Sequence, residues 1–293
     1  MAIEVNGTEP DSGEGADMAG TDEPSVMRVV SRDGTEIACW TSGEGPPLVV
    51  VHGTPADHTR WRPLLPYLEP HVTVHAMDRR GRGASGDAPG YDLAREYEDV
   101  AAVVDAVAEA SGAPVDLYGH SHGGIVAFGA ATLTSKIRKL VLYEGWPVPN
   151  PDVYALPPGL EDRMDALLAE GDRDAVVETI FRELELMSDE DMNAFKAAPS
   201  WPGRVAAAHT ITREVRAETG ARLDPELAAR IPVPVLLLTG EHSSDPSKAD
   251  IEAVAAALPD ARIVVLEGQE HVADVLVPEV FAGHVLAFLR NQR

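Results

Sequence analysis

Five residues, Gly119-His120-Ser121-His122-Gly123, carry the clearest chemical signal in the chain. A serine hydroxyl is a weak nucleophile unless a base takes its proton, so its setting decides whether it can react. Here an apolar strand (115–118) precedes it and a helical run (124–133) follows. That strand–turn–helix setting gives a Gly-x-Ser-x-Gly motif its meaning. A side chain at 119 or 123 would collide with the neighbouring strand and helix, and glycine relieves both clashes. A glycine-rich turn with an idle serine would read the same over five residues. The strand before it, the extra Gly124 and the helix behind it set this turn apart. The expected chemistry is acyl transfer through Ser121.

The other residues that could do chemistry are more dispersed. Ten histidines compete to be the base. His120 and His122 flank Ser121 on a tight turn and should point away from its hydroxyl, towards packing or a pocket wall. His271 lies in a loop directly after the last apolar run. Two carboxylates end or follow apolar runs: Glu144 in Leu142-Tyr143-Glu144-Gly145-Trp146, and Asp245 in Gly240-Glu241-His242-Ser243-Ser244-Asp245-Pro246. An ionised group at the end of a buried strand needs a partner, and a histidine that becomes imidazolium would be one. His120 and His122 are spaced i, i+2 without a supporting carboxylate, so no metal is expected. No Gly-x-Gly-x-x-Gly follows the first strands, so no nucleotide cofactor is expected either.

Elements must position these groups. Short apolar runs at 47–51, 72–77, 115–118, 139–143, 233–239 and 263–266 alternate with helical stretches such as 97–110, where Val100, Val103, Val104 and Val107 share one face. Continuous apolar strands are expected of a parallel sheet covered on both faces. Segments 27–30 and 36–40 flank Arg32-Asp33-Gly34-Thr35, a hairpin turn signal. The pattern predicts an α/β fold: a doubly wound, mostly parallel eight-stranded sheet with helices on both faces. The alternation stops at Glu144 and resumes at Pro232. Between them a proline-rich stretch leads into helices expected at 160–170, 173–187, 189–197 and 203–219, read as a helical lid inserted after the sixth strand.

The division that follows is a flexible acidic tail (1–25), core (26–144), lid (145–231) and core (232–293). Trp146 and His209 are the expected substrate contacts. Met164, Met187, Met192 and Phe195 have helical faces that could meet either substrate or core, and Trp61 is expected in the core.

From about Met27 to Arg293 the chain resembles the α/β-hydrolase superfamily, in its serine-nucleophile, lidded form. The motifs that carry the resemblance are His52-Gly53-Thr54-Pro55, Asp78-Arg79-Arg80-Gly81-Arg82-Gly83, the turn at Ser121, and Gly268-Gln269-Glu270-His271. The resemblance implies His271 as base, His52 as a buttress of the oxyanion loop, and the backbone amides of Thr54 and His122 as oxyanion donors; Pro55 has no amide to give. Most relatives carry an aspartate a few residues after the seventh strand. Here the position three after Gly240 is Ser243, and Asp245 is displaced by two. A carboxylate on the sixth strand resembles an arrangement seen in some haloalkane dehalogenases. Glu144 is therefore the favoured acid, with Asp245 and then Glu241 as alternatives; Glu270, beside the base, points the wrong way.

The implied activity is hydrolysis of an ester, lactone or thioester, or of a carbon–carbon bond next to a carbonyl, in a small to medium apolar molecule. A serine at 121 excludes the aspartate nucleophile of haloalkane dehalogenases and epoxide hydrolases. Two other readings stay open: a cofactor-free lyase or cyclase using His271 as general base, and a slow-turnover ligand receptor.

A formal charge of −24 on 293 residues repels phosphate backbones and anionic lipid, so neither nucleic acid nor membrane is an expected partner. The single cysteine, Cys39, reads as a buried structural thiol in a strand. No signal peptide and no run of membrane-spanning length are apparent. A cytoplasmic protein, monomer or homodimer, with a small-molecule substrate is the expectation.

Overall fold

The computed structural model describes residues 25–150, 156–184, 187–243 and 245–291. The acidic tail expected at 1–25 lies outside them, save Ser25. Eight strands form one sheet: β1 (Ser25–Val30), β2 (Glu36–Ser42), β3 (Pro47–Val51), β4 (Thr73–Met77), β5 (Val115–His120), β6 (Ile137–Tyr143), β7 (Val235–Gly240) and β8 (Ala261–Leu266), in the order β1-β2-β4-β3-β5-β6-β7-β8. β2 runs against both of its neighbours and β3 to β8 are parallel. The predicted hairpin joins β1 to β2. Gly34 takes φ 89° there, and the Ser31 amide donates to the Thr35 carbonyl at 2.8 Å.

The strands carry apolar side chains on both faces because both faces are covered. Val49, Val51, Leu117, Leu140, Leu142 and Leu237 point into one core cluster. It includes residues of α2 (Leu93–Ser111), α3 (His122–Ala130) and α10 (Asp245–Ala257). Their neighbours Leu48, Val50, Tyr118, Val141, Tyr143, Leu236 and Leu238 point into a second cluster. That one packs against a 3₁₀ turn (His58–Trp61), α1 (Leu65–Leu68), α11 (Ala273–Leu276) and α12 (Pro278–Arg290). Trp61 is buried there against Tyr118, as expected. Cys39 is buried in β2, where burial pushes its thiol well up.

Between β6 and β7 lie α4 (Leu160–Glu170), α5 (Arg173–Glu183), α6 (Asp189–Lys196), α7 (Trp201–Ala206), α8 (Ala208–Gly220) and the short α9 (Pro225–Ala228). The helix expected over 203–219 is broken at Ala207. Arg173 donates through Nε to the Val205 carbonyl at 3.0 Å and through Nη2 to that of Ala206, drawing both away from a continuous helical ladder. These helices enclose a third cluster of their own, with Leu160, Met164, Val176, Val177, Met192, Trp201 and Ile211 buried and Met187 and Phe195 packed against them. No helix among the described residues is long and apolar enough to cross a membrane.

Candidate active site

The chain leaves β3 for β4 on one side of it and returns to β5 on the other, so the loops after β3 and β5 diverge at the carboxyl ends of the strands. Open α/β sheets bind ligands at such a switch point. The loops bearing Thr54, Ser121, Glu144 and His271 all follow parallel strands at this end.

Ser121 caps the amino end of α3 with φ 55° and ψ −133°, a strained backbone for a residue with a side chain. Neighbours hold it there. The Ser121 amide donates to the Tyr143 carbonyl at 2.9 Å, and the Gly124 amide donates back to the Ser121 carbonyl at 2.7 Å. A Cβ on Gly119 would meet Gly124 Cα at 2.7 Å, and one on Gly123 would strike the carbonyls of Val51 and His52. Gly53 brings the loop after β3 against the serine, since a Cβ there would lie 2.7 Å from Ser121 Cβ and 3.2 Å from its Oγ. Gly145, which the sequence reading passed over, is as constrained. Its Cβ would run into the Ser121 carbonyl.

His271 Nδ1 donates to Glu144 Oε2 at 2.8 Å. The carboxylate is buried and its other oxygen is fully engaged. Oε1 accepts from the Gly240 amide at 2.7 Å, from Thr239 Oγ1 at 3.0 Å and from Ser243 Oγ. Burial pushes the Glu144 carboxyl up, but the bond and charge of His271, with the Gly240 and Ser243 donors, outweigh it and hold it below the usual range. Ser243 is thus a donor to the carboxylate that directly follows β6. Of the alternatives, Glu241 accepts from the Gly268 amide at 2.8 Å, away from His271. Asp245 opens α10, and its side chain falls outside the described residues.

The His271 loop is braced from beneath. The Ala273 amide donates to Tyr143 Oη at 2.9 Å, and that hydroxyl donates to the Glu270 carbonyl. His120 Nε2 meets the His271 carbonyl at 2.8 Å, and Arg60 holds both oxygens of buried Asp274 at 2.8 Å. His120 is therefore tied up behind the site; burial and Arg60 keep its ring neutral, well below the ordinary histidine range. His52 stands under the loop after β3. Its Nδ1 donates to the Gly53 carbonyl at 2.9 Å and its Nε2 accepts from the Arg79 amide at 3.2 Å, a buttress as anticipated.

The remaining expected residues are placed differently. Trp146, expected as a substrate contact, is 6% exposed and packs in the core cluster that includes residues of α2 and α3. The turn at Gly145 sends it inward. His209 sits on the outer side of α8, its Nδ1 2.9 Å from Arg173 Nη2 and its Nε2 3.6 Å from Asp87. It belongs to an exposed ion cluster. Thr54 and His122, by contrast, are gripped by carboxylates of α8 that sequence reasoning missed: Thr54 Oγ1 donates to Glu214, and His122 Nδ1 to Glu218 at 2.6 Å. Nothing in a linear pattern links residues 54 and 214. The only cue was the acidic character of a helix face.

The model of the alpha/beta hydrolase family matches residues 48–284. The chain is 25% identical over 288 residues to 2-hydroxy-6-oxo-6-(2'-aminophenyl)hexa-2,4-dienoic acid hydrolase of Metapseudomonas resinovorans, covering 91% of this chain and 92% of the relative. It is 23% identical over 253 residues to (E)-2-((N-methylformamido)methylene)succinate hydrolase of Acinetobacter baylyi, covering 86% and 93%. The crystal structure of an alpha/beta hydrolase from Sphaerobacter thermophilus superposes with a TM-score of 0.77 at 35% identity, over 90% of this chain and all (100%) of that one. The eight-stranded sheet, the strained serine turn on β5 and the match over residues 48–284 lead to one conclusion: the chain belongs to the alpha/beta hydrolase family.

Proposed function

We propose that the protein is a serine hydrolase that cleaves an ester, lactone or thioester, or a carbon–carbon bond beside a carbonyl, through an acyl-serine intermediate. The observation that carries this reading is the His271–Glu144 pair at 2.8 Å, on loops at the same end of the sheet as a serine held at φ 55°. A carboxylate on Nδ1 fixes the tautomer in which Nε2 carries no hydrogen and can accept a proton, and it stabilises the imidazolium that results. Ser121 Oγ attacks the substrate carbonyl carbon as His271 Nε2 accepts the hydroxyl proton. The carbonyl oxygen, now negative, is received by the amides of Thr54 and His122. His122 is the first residue of α3, where amides have no intrahelical partner and the helix dipole favours negative charge. Collapse expels the leaving group with the proton from His271. Water, deprotonated by the same nitrogen, then attacks the acyl carbon and releases the acid.

The helices α4 to α8 are read as a lid over this end of the sheet. Two relatives are named hydrolases of unsaturated acids, which keeps a carbon–carbon bond beside a carbonyl within the proposal. The test is a fluorophosphonate adduct mapped by mass spectrometry. Phosphonylation at Ser121, abolished in Ser121→Ala along with turnover, is expected. Labelling elsewhere, or activity surviving Ser121→Ala, would overturn the mechanism.

A further inference from the structure

Thr210, Glu214 and Glu218 are spaced four residues apart and form one stripe along α8. The stripe faces a buried set of charges. Arg79 lies flat against Glu96, with Nε to Oε2 at 2.6 Å and Nη2 to Oε1 at 2.7 Å, and its Nη2 is 3.1 Å from Glu214 Oε1. Arg82 Nη2 donates to Thr210 Oγ1 at 2.7 Å and to Glu214. Glu214 Oε2 accepts from Thr54 Oγ1. One turn on, Glu218 Oε1 accepts from His122 Nδ1, while His122 Nε2 lies 3.4 Å from Tyr91 Oη and 3.6 Å from Glu96. Arg79, Arg82, Glu96, His122 and Glu214 are all buried. Two consecutive carboxylates of one inserted helix thus reach the two residues whose amides are read above as oxyanion donors.

We propose that Glu214 and Glu218 are positioning residues: α8 grips Thr54 and His122 by their side chains and so sets the spacing of the two oxyanion amides. This rests on the reading of those amides given under Proposed function. Thr54 lies in a loop held as well by His52, by the approach of Gly53 to Ser121 and by Arg204 of α7, which donates to the Pro55 carbonyl. A preorganised donor pair is worth most when it cannot drift, since a misplacement of about 1 Å costs up to about 100-fold in rate. Docking of α8 would complete the hole, so a chain with its inserted helices displaced would keep its serine and base yet react slowly.

The charge on His122 belongs to the same device. Arg79 from the loop after β4, Tyr91 and Glu96 at the start of α2, and Glu214 and Glu218 from α8 all face it. Burial and Arg79 push its ring down, Glu218 and Glu96 push it up, and the balance lifts it to about 8. The grip of Glu218 on an imidazolium should therefore loosen on the alkaline side.

The experiment follows phosphonylation of Ser121 in the full-length protein by a fluorophosphonate, separating the maximal rate from the half-saturating concentration. Glu214→Gln and Thr54→Val are each expected to lower the maximal rate about 10- to 100-fold with little change in half-saturation. The double variant should be no slower than the slower single. Glu218→Gln should move the alkaline fall of the maximal rate to lower pH. Wild-type maximal rates in folded Glu214→Gln and Thr54→Val, losses that multiply, or a pH profile unmoved by Glu218→Gln would overturn the proposal. If Glu214→Gln fails to fold, Thr54→Val decides alone, because it leaves the Glu214–arginine contacts in place. Absence of any adduct at Ser121 in the wild-type protein is a different outcome: it sinks the nucleophile itself.

Discussion

Glu144 shows how much one side chain settles. It has φ 43°, unusual for a residue with a Cβ, and this turn at the end of β6 brings its carboxylate back to β7 and the His271 loop. Replacing it by Gln keeps the size but leaves His271 without a charge to orient it; turnover of a p-nitrophenyl ester should fall by on the order of 10³- to 10⁴-fold. Asp245→Asn should change it little, and the reverse ranking would move the acid to the loop after β7. The carboxyl of Glu144 is depressed below its ordinary 4.5, so the stabilisation it contributes is present above that pH and is lost as pH falls through the lower, folded value. Sequence pattern reached this residue because a carboxylate ending a buried strand demands a partner. It did not reach the role of Ser243, which depends on where β7 lies beside β6.

Among the elements, α3 and α8 matter most. The α3 turn tolerates no added bulk. Gly145→Ala would drive a methyl into the Ser121 carbonyl, so loss of phosphonylation is expected together with a lowered melting temperature. A variant with wild-type labelling would show that the turn relaxes. For α8, the His122 ring has a folded pKa raised from 6.5 to about 8, a stabilisation of about 2 kcal/mol. It is fully present below the unfolded value and is lost as pH rises through about 8. Amide hydrogen exchange in α8, followed across that range, should accelerate in the wild-type protein after correction for base catalysis; Glu218→Gln should remove most of the change. The strand pattern was legible residue by residue, because apolar runs with covered faces admit few alternatives. The break at Ala207 was not, because Arg173, more than thirty residues upstream, decides it.

Over the whole molecule, three apolar clusters divide the work. Two flank the sheet and one belongs to the inserted helices alone. The α8 charges tie the inserted helices to the core, and Arg204 of α7 adds a bond to the Pro55 carbonyl. Met164 is fully buried in the third cluster, and Met164→Ala should cost about 2–5 kcal/mol. Hydrogen exchange should register that loss first in α4, α5 and α8 and leave β3, β5 and β6 protected. Equal loss of protection in the sheet would mean that the clusters unfold as one unit.

The residues alone determined the fold class, the serine turn and the strand ends that carry His271 and Glu144, because each follows from local sterics, strand periodicity or the cost of a lone buried charge. Tertiary structure decided what depends on contacts between distant segments: Ser243 as donor to Glu144, Trp146 turned into the core, and His120 tied behind His271. It also brought α8 to Thr54 and His122, a pairing across 160 and 96 residues that no period or motif encodes. Ser121 is legible because its turn is strained locally. The contacts of Thr54 and His122 with α8 join segments far apart in the chain, so only the folded protein shows them.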